Sequence, residues 1–392
     1  MAIDWRVRPP NGPGSFAAFE YWPDHPEWST QLLRLISYTT LGAADFSEIE
    51  RVAASLPVGD DAAWYEGFVA LARRLDEKAV TSGQDRLTAR DTWDRAAIYY
   101  RMAATFRSIR GEINVASVEE SRRCFRLARQ LDWSVRFDQV EIPYGDDHLP
   151  AYVVAPRGCR EPRPTVIVLG GIDAFAEEMY YKIGAALVRR GYTVVLPDGP
   201  GQGESRNRRI PARADYEVAI TAIIDAVVAQ PEVDARRLAL IGSSMGGYFA
   251  ARGAAFDLRL RAVVIWGAFY GINSAGGGDS ASRLGQAMAL FAVSSLDELA
   301  NKVTDFNLEG VAEQIRVPTL ILHGGSDVQV PVAHAERLFE DIPHPDKQLV
   351  VYPPGQPGCT HCQLDSPATA HFDILNWLGE RVLVAAERPT QR

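Results

Sequence analysis

Up to Leu131 the apolar residues of the chain recur at helical spacing. Trp28–Tyr38 carries such a pattern. Asp45-Phe-Ser-Glu48 fits the D-x-x-E form of a capping box and predicts a helix from Ile49 to Leu56. A third helix is expected over Asp60–Ala79, with Trp64, Phe68, Leu71 and Leu75 on one side. A fourth spans Thr88–Ile109 and carries Trp93, Ala97, Tyr100, Met102, Ala103 and Phe106, and a fifth spans Val115–Leu131. No strand pattern interrupts this region, and no fixed period marks it as a repeat array.

The pattern changes near Trp133. Val135–Ile142 alternates, Tyr144-Gly-Asp-Asp147 supplies a turn, and Leu149–Ala155 alternates again, which predicts a β-hairpin. Short apolar runs follow at Thr165–Leu169, Tyr192–Leu196, Leu238–Ile241, Ala262–Trp266, Thr319–Leu322 and Gln348–Tyr352. Helical stretches separate them at Phe175–Arg190, Ala212–Ala229, Gly246–Ala255, Val332–Leu338 and Ala368–Ala385. Apolar strands alternating with helices predict an α/β fold, a doubly wound and mostly parallel sheet covered on both faces. The hairpin adds antiparallel pairing at one edge. An all-helical domain is therefore expected over residues 1–132 and an α/β domain over 133–388. Residues 269–316 are too long for a simple connection; Gly276-Gly-Gly278 reads as mobile and Ser282–Val293 as helical, an insertion near the functional end of the sheet.

Composition narrows the possible partners. The net charge of −9, from 41 Lys+Arg against 50 Asp+Glu, argues against nucleic acid. The short basic runs at Arg122-Arg123 and Arg206-Asn207-Arg208-Arg209 read as solvated faces. No apolar run is long enough to span a membrane, and the first ten residues hold no apolar signal region, so a cytoplasmic protein is expected. The four cysteines do not make a disulfide scaffold in 392 residues. Cys359-Thr-His-Cys362 fits C-x-x-C, but no second ligand pair accompanies it. No metal and no cofactor is expected.

The candidate chemistry lies at Gly242-Ser243-Ser244-Met245-Gly246, which fits G-x-S-x-G between a strand and a helix. A serine on such a turn stands clear of the sheet, and the helix behind it aims free N–H groups at a developing oxyanion. A serine hydroxyl needs a base, and the base an orienting acid. In a doubly wound sheet both belong just beyond the carboxyl ends of later strands. Asp327 lies in the Gly-rich loop after Thr319–Leu322. Of the seven histidines, His361 falls in the loop after the last strand. His371 and His334 read as packing or surface residues, and His323 as support for the acid loop. The order Ser244, Asp327, His361 is that of one fold among those carrying this triad. Met245 and Ile172 are the expected oxyanion-hole donors. Gly199-Pro-Gly-Gln-Gly203 lacks the full spacing of a dinucleotide loop.

At these residues the chain resembles the α/β-hydrolase superfamily over Trp133–Ala385. Trp28, Arg34, Leu35, Gly42-Ala-Ala-Asp-Phe46 and Ala89-Arg90-Asp91, together with Gly170-Gly-Ile-Asp173, resemble more closely two related groups. One is the carbon–carbon bond hydrolases acting on dihydroxypseudooxynicotine; the other is the fungal pigment-pathway hydrolases that shorten polyketides. The resemblance implies Ser244, Asp327 and His361 as the triad, a homodimer, a small-molecule pocket roofed by the N-terminal helices, and cleavage of a bond next to a ketone. Gly171, Asp173, Tyr100 and Tyr270 are the candidate substrate contacts, with Trp93, Tyr99 and Phe269 as further candidates for an aromatic wall. Core packing is the alternative for each aromatic residue, and capping of the next helix for Asp173. An ester or thioester hydrolase uses the same acyl-enzyme. An acyltransferase or cyclase, or a receptor-like binding module with slow turnover, is the competing reading.

Overall fold

The computed structural model describes residues 21–82, 85–109, 112, 114–158, 161–272 and 281–383. The helical region contains α1 (Pro26–Ser37), α2 (Phe46–Ala53), α3 (Asp61–Thr81), α4 (Arg86–Ala103), α5 (Thr105–Ile109) and α6 (Ala116–Leu131). Asp45, Asp60 and Asp85 begin α2, α3 and α4; each carboxylate accepts from two N–H groups of the first turn. Each such cap stabilises its helix by about 1 kcal/mol. The Asp45-x-x-Glu48 box does not close. The buried Tyr99 hydroxyl takes both groups instead, accepting from the Asp45 N–H and donating to the Glu48 carboxylate, each at 2.8 Å. The single helix expected over Thr88–Ile109 is divided at Ala104 into α4 and α5. Trp28, Trp64, Phe68 and Phe106 pack ring against ring at its centre, and the Trp64 indole N–H donates to the Met102 carbonyl at 2.8 Å.

The remaining elements are β1 (Val135–Tyr144), β2 (Asp147–Pro156), β3 (Arg163–Leu169), α7 (Ala176–Met179), α8 (Ala185–Val188), β4 (Thr193–Pro197), α9 (Gly203–Asn207), α10 (Glu217–Val228), β5 (Val233–Ser243), α11 (Met245–Phe256), β6 (Leu260–Trp266), α12 (Ala281–Phe291), α13 (Leu296–Val303), β7 (Thr319–Gly324), α14 (Ala333–Asp341), β8 (Lys347–Tyr352) and α15 (Pro367–Leu378). The eight strands form one sheet in the order β1-β2-β4-β3-β5-β6-β7-β8. β1 and β2 pair antiparallel at the edge, β2 meets β4 antiparallel, and the other pairs are parallel. The expected helix over Phe175–Arg190 is present but carries a π-helical turn, Tyr180–Gly184, between α7 and α8. Gly276–Gly278 lies outside the described residues.

Why the central strands read as unbroken apolar runs is visible in their two faces. Val166, Val168, Ala239, Ile241, Val264 and Leu320 join the core shared with α1–α6 and α15. Their neighbours Ile167, Leu169, Leu238, Leu240, Val263 and Ile321 join the core under α10, α11 and α14. Both faces are covered, so alternate positions are equally apolar. The helical region and one face of the sheet therefore share a single core. Among the described residues, no helix is long and apolar enough to cross a membrane.

Candidate active site

Ser244 follows the last residue of β5 and precedes the first of α11, with φ 57° and ψ −122°. A non-glycine residue held there costs of order 1–3 kcal/mol. The surroundings over-determine it. The Ser244 N–H donates to the Trp266 carbonyl at 2.7 Å, and the Ser244 carbonyl accepts from Gly247 N–H at 2.9 Å. The turn closes because its flanking residues lack side chains. A Cβ on Gly242 would sit 1.8 Å from the Gly246 carbonyl oxygen, and one on Gly246 would sit 2.4 Å from that of Gly170.

β7 and β8 deliver the other two groups. The Ser244 Oγ lies 2.9 Å from His361 Nε2, and His361 Nδ1 lies 2.6 Å from Asp327 Oδ2. The second Asp327 oxygen accepts from the N–H groups of Gln329 and Val330 at 2.8 and 2.9 Å. These bonds fix the carboxylate and, through it, the ring. Burial works against the charged imidazolium, but the neighbouring Asp327 carboxylate outweighs it and raises the His361 pKa above the ordinary histidine value. Burial likewise pushes Asp327 up, and His361 pulls it below the usual carboxylate range. His323 Nε2 lies 2.8 Å from the Val330 carbonyl and so braces the acid loop, while His334 Nδ1 accepts from the Tyr270 N–H. Cys362, the next residue, places its Sγ 3.6 Å from His361 Nε2.

The Ile172 and Met245 N–H groups meet no acceptor among the described residues. Gly171 brings the first of them beside the serine: a Cβ there would touch Ser244 Cβ at 3.3 Å and Oγ at 3.6 Å. The Gln202 amide holds the loop, donating to the Gly170 and Gly171 carbonyls at 2.6 and 2.8 Å and so fixing the peptide planes that precede the Ile172 N–H. This gives a purpose to the Gly199–Gly203 loop that spacing alone did not supply.

Arg34 of α1 reaches across to the residue after Ile172. Its guanidinium pairs with Asp173 at 2.6 Å and Glu178 at 2.7 Å. Arg101 of α4 grips the same segment, pairing with Glu178 at 2.8 Å and donating to the Asp173 carbonyl at 2.6 Å. The Tyr38 hydroxyl also donates to Glu178, at 2.8 Å. Burial would raise the Asp173 pKa, but Arg34 and Arg101 outweigh it and hold it at about 2. The loop Gly170–Asp173 is thus tied to the helical region by ion pairs. Asp173 does not cap α7; Asp198 accepts from the Ala176 N–H at 2.8 Å.

A cavity of about 110 Å³ opens between α1 and the strand ends, lined by Ser244, His361, Gly171, Ile172, Asp173, Arg34, Lys182 and Gln286 among others. Of the sequence candidates, it gathers Ser244, His361, Gly171, Ile172 and Asp173, with Asp327 behind His361. Tyr100 and Tyr270 do not line it, and neither do Trp93, Tyr99 and Phe269. The Tyr270 hydroxyl donates to Asp341 at 2.7 Å, and Tyr100 is buried within α4. The sequence reading gave no site role to Arg101, Lys182 or Gln202.

The family model of FrsA-like esterases matches residues 60–273, and that of the serine aminopeptidases (S33) matches residues 306–361. Hydrolase acrC of Aspergillus aculeatus is 27% identical over 423 aligned positions, covering 93% of this chain and 98% of that protein. The 2,6-dihydropseudooxynicotine hydrolase of Paenarthrobacter nicotinovorans is 28% identical over 340 positions, covering 84% of this chain and 88% of that one. The crystal structure of 2,6-dihydroxy-pseudo-oxynicotine hydrolase superposes with a TM-score of 0.76 at 24% identity, over 90% of this chain and 97% of that chain. At that identity the likeness shows the fold, which is that of the α/β-hydrolases.

Proposed function

The chain belongs to the FrsA-like esterase family, and from that membership we propose that it is a serine hydrolase working through an acyl-enzyme on a small carbonyl compound. The observation that carries the reading is the unbroken hydrogen-bond chain Ser244–His361–Asp327 at a cavity beside two unengaged N–H groups. His361 Nε2 takes the Ser244 proton as Oγ bonds to the carbonyl carbon. The oxyanion settles on the Ile172 and Met245 N–H groups. Collapse breaks the bond to the leaving group, which takes the proton from His361. Water, deprotonated in turn by His361, then releases the acid and restores Ser244.

The leaving group is an alkoxide from an ester, a thiolate from a thioester, or an enolate from a β-diketone. The relative named for 2,6-dihydropseudooxynicotine, with the resemblance seen in the sequence, favours the bond next to a ketone. In this reading residues 1–132 form a roof, 133–388 the catalytic domain, and two copies a homodimer. The test is mass spectrometry of products from p-nitrophenyl esters, an acyl thioester and an aromatic β-diketone, with wild type and Ser244→Ala. Cleavage that depends on Ser244 is expected, and equal turnover by both proteins would refute the nucleophile.

A further inference from the structure

Lys182 sits in the π-helical turn Tyr180–Gly184 and lines the cavity that holds Ser244 and His361. A π turn adds one residue to a helix and gives one side chain a direction that the regular faces do not offer; such turns gather at functional sites. The turn is pinned from outside, since His371 Nε2 lies 2.6 Å from the Lys182 carbonyl. The ammonium lies 4.4 Å from the centroid of the Trp266 ring. That ring is held in turn by the Gln363 side chain, which accepts from its indole N–H.

The carboxylates around this ammonium are already taken. Asp173 and Glu178 also line the cavity, but Arg34 and Arg101 engage both, and the other titratable group facing Lys182 is the Cys362 thiol, which offers a counter-charge only when ionised. Among the described residues, no carboxylate lies within ion-pair distance of Lys182 and no carbonyl accepts from its ammonium. An aromatic face partly compensates a cation but does not neutralise it. Burial accordingly pulls the lysine below its ordinary pKa, so an arriving anion would gain most there. A low-dielectric pocket with a fixed cation also concentrates anions of matching size. In a chain of net charge −9 this placement runs against the overall field.

We propose that Lys182 binds a negatively charged oxygen of the substrate, a carboxylate or an enolate a few bonds from the carbonyl that Ser244 attacks. The substrates are then small anionic oxo compounds, in keeping with a cavity of about 110 Å³. The inference rests on the serine-hydrolase reading for the position of the attacked carbonyl. Its own content is the charge selectivity.

The test is calorimetric binding of 4-oxopentanoate and of uncharged 2-pentanone to wild type, Lys182→Met and Lys182→Arg. 1,1,1-Trifluoroacetylacetone, which is an enolate at neutral pH where Lys182 keeps its proton, separates enolate from carboxylate recognition. Wild type should prefer 4-oxopentanoate at least tenfold. Lys182→Met should bring the ratio to within twofold of unity, and Lys182→Arg should keep most of it. An unchanged ratio in Lys182→Met, or no preference in wild type, would overturn the proposal. If the methionine variant does not fold, Lys182→Gln carries the same comparison. Labelling of Ser244 by a fluorophosphonate, followed on the same samples, tests the hydrolase reading separately. Lost labelling with an intact charge ratio removes the nucleophile and leaves the anion site standing.

Discussion

Replacing Arg34 with methionine removes a charge while keeping most of the stem. Its two ion pairs, at 2.6 and 2.7 Å, join α1 to Asp173, the residue after the proposed oxyanion donor Ile172, and to Glu178. Breaking one side of a buried pair costs about 3–5 kcal/mol, because the other charge stays buried without its partner. Here Arg101 and Tyr38 still hold Glu178, whereas the Asp173 carboxylate keeps only an Arg101 contact at 3.5 Å beside the Arg101 bond to its backbone carbonyl. The lower figure, about 3 kcal/mol in urea unfolding, is therefore expected. Loss of a complete oxyanion donor costs about 3 kcal/mol of barrier, and a displaced one less. A fall of roughly 10- to 100-fold in kcat follows, since each tenfold is about 1.4 kcal/mol. The KM of a small p-nitrophenyl ester should change little. Arg34→Met combined with Asp173→Asn removes the orphaned charge and should recover more than about 1 kcal/mol of the lost stability. A variant that loses the stability but keeps kcat within twofold would refute the reasoning. The ion pairs would then hold the helices without setting the loop.

Further outcomes follow from the same geometry. Ser244→Ala should lower ester turnover by at least about 10⁴-fold, measured by initial rates at matched folded protein. Because Asp327 raises the His361 pKa, the proposed base would be protonated and idle at low pH, and activity should rise with pH through that value. Asp327→Asn should move this acid limb to lower pH and reduce the plateau; an unmoved limb would exclude His361 as its source. Gly242→Ala places a Cβ 1.8 Å from a backbone oxygen and should yield little soluble protein, which expression and thermal melting will show. The Asp173 pKa of about 2 lies below the usual carboxylate value. Its contribution to stability is therefore present above the unfolded pKa and lost as pH falls towards 2. Wild type should lose more stability than Asp173→Asn between pH 5 and pH 2.5, by urea titration.

The strands and the serine turn were legible because their signals are local. Apolar runs of β3 to β8 and the Gly242–Gly246 spacing each reside in a few consecutive residues. That Asp327 and His361 come together beside Ser244 was legible from their place after particular strands. The π turn was not, since Phe175–Arg190 has the same apolar composition with or without an added residue. Arg34 was invisible as a loop anchor because its partner Asp173 lies 139 positions away. For the aromatic residues the packing alternative holds. Helical spacing reports that Tyr100 is buried but not what its ring is buried against, and Tyr270, outside any helix, carries no periodic signal of its bond to Asp341. Glu48 fitted a capping box locally, yet a hydroxyl arriving from α4 outcompeted the expected bond.

Cys362 carries a consequence for laboratory diagnosis. It lines the cavity, and its sulfur lies 3.6 Å from the imidazole nitrogen that faces Ser244. Burial would raise its pKa, but His361 and Lys182 outweigh that and lower it, which favours the thiolate that alkylating reagents attack. Iodoacetamide or a mercurial entering the cavity would then block the imidazole without touching the serine. Inhibition by such reagents is commonly taken as the mark of a cysteine nucleophile. On the proposed serine mechanism it would mark a neighbour, and Cys362→Ala would confer resistance to the alkylating agent while fluorophosphonate labelling of Ser244 is retained.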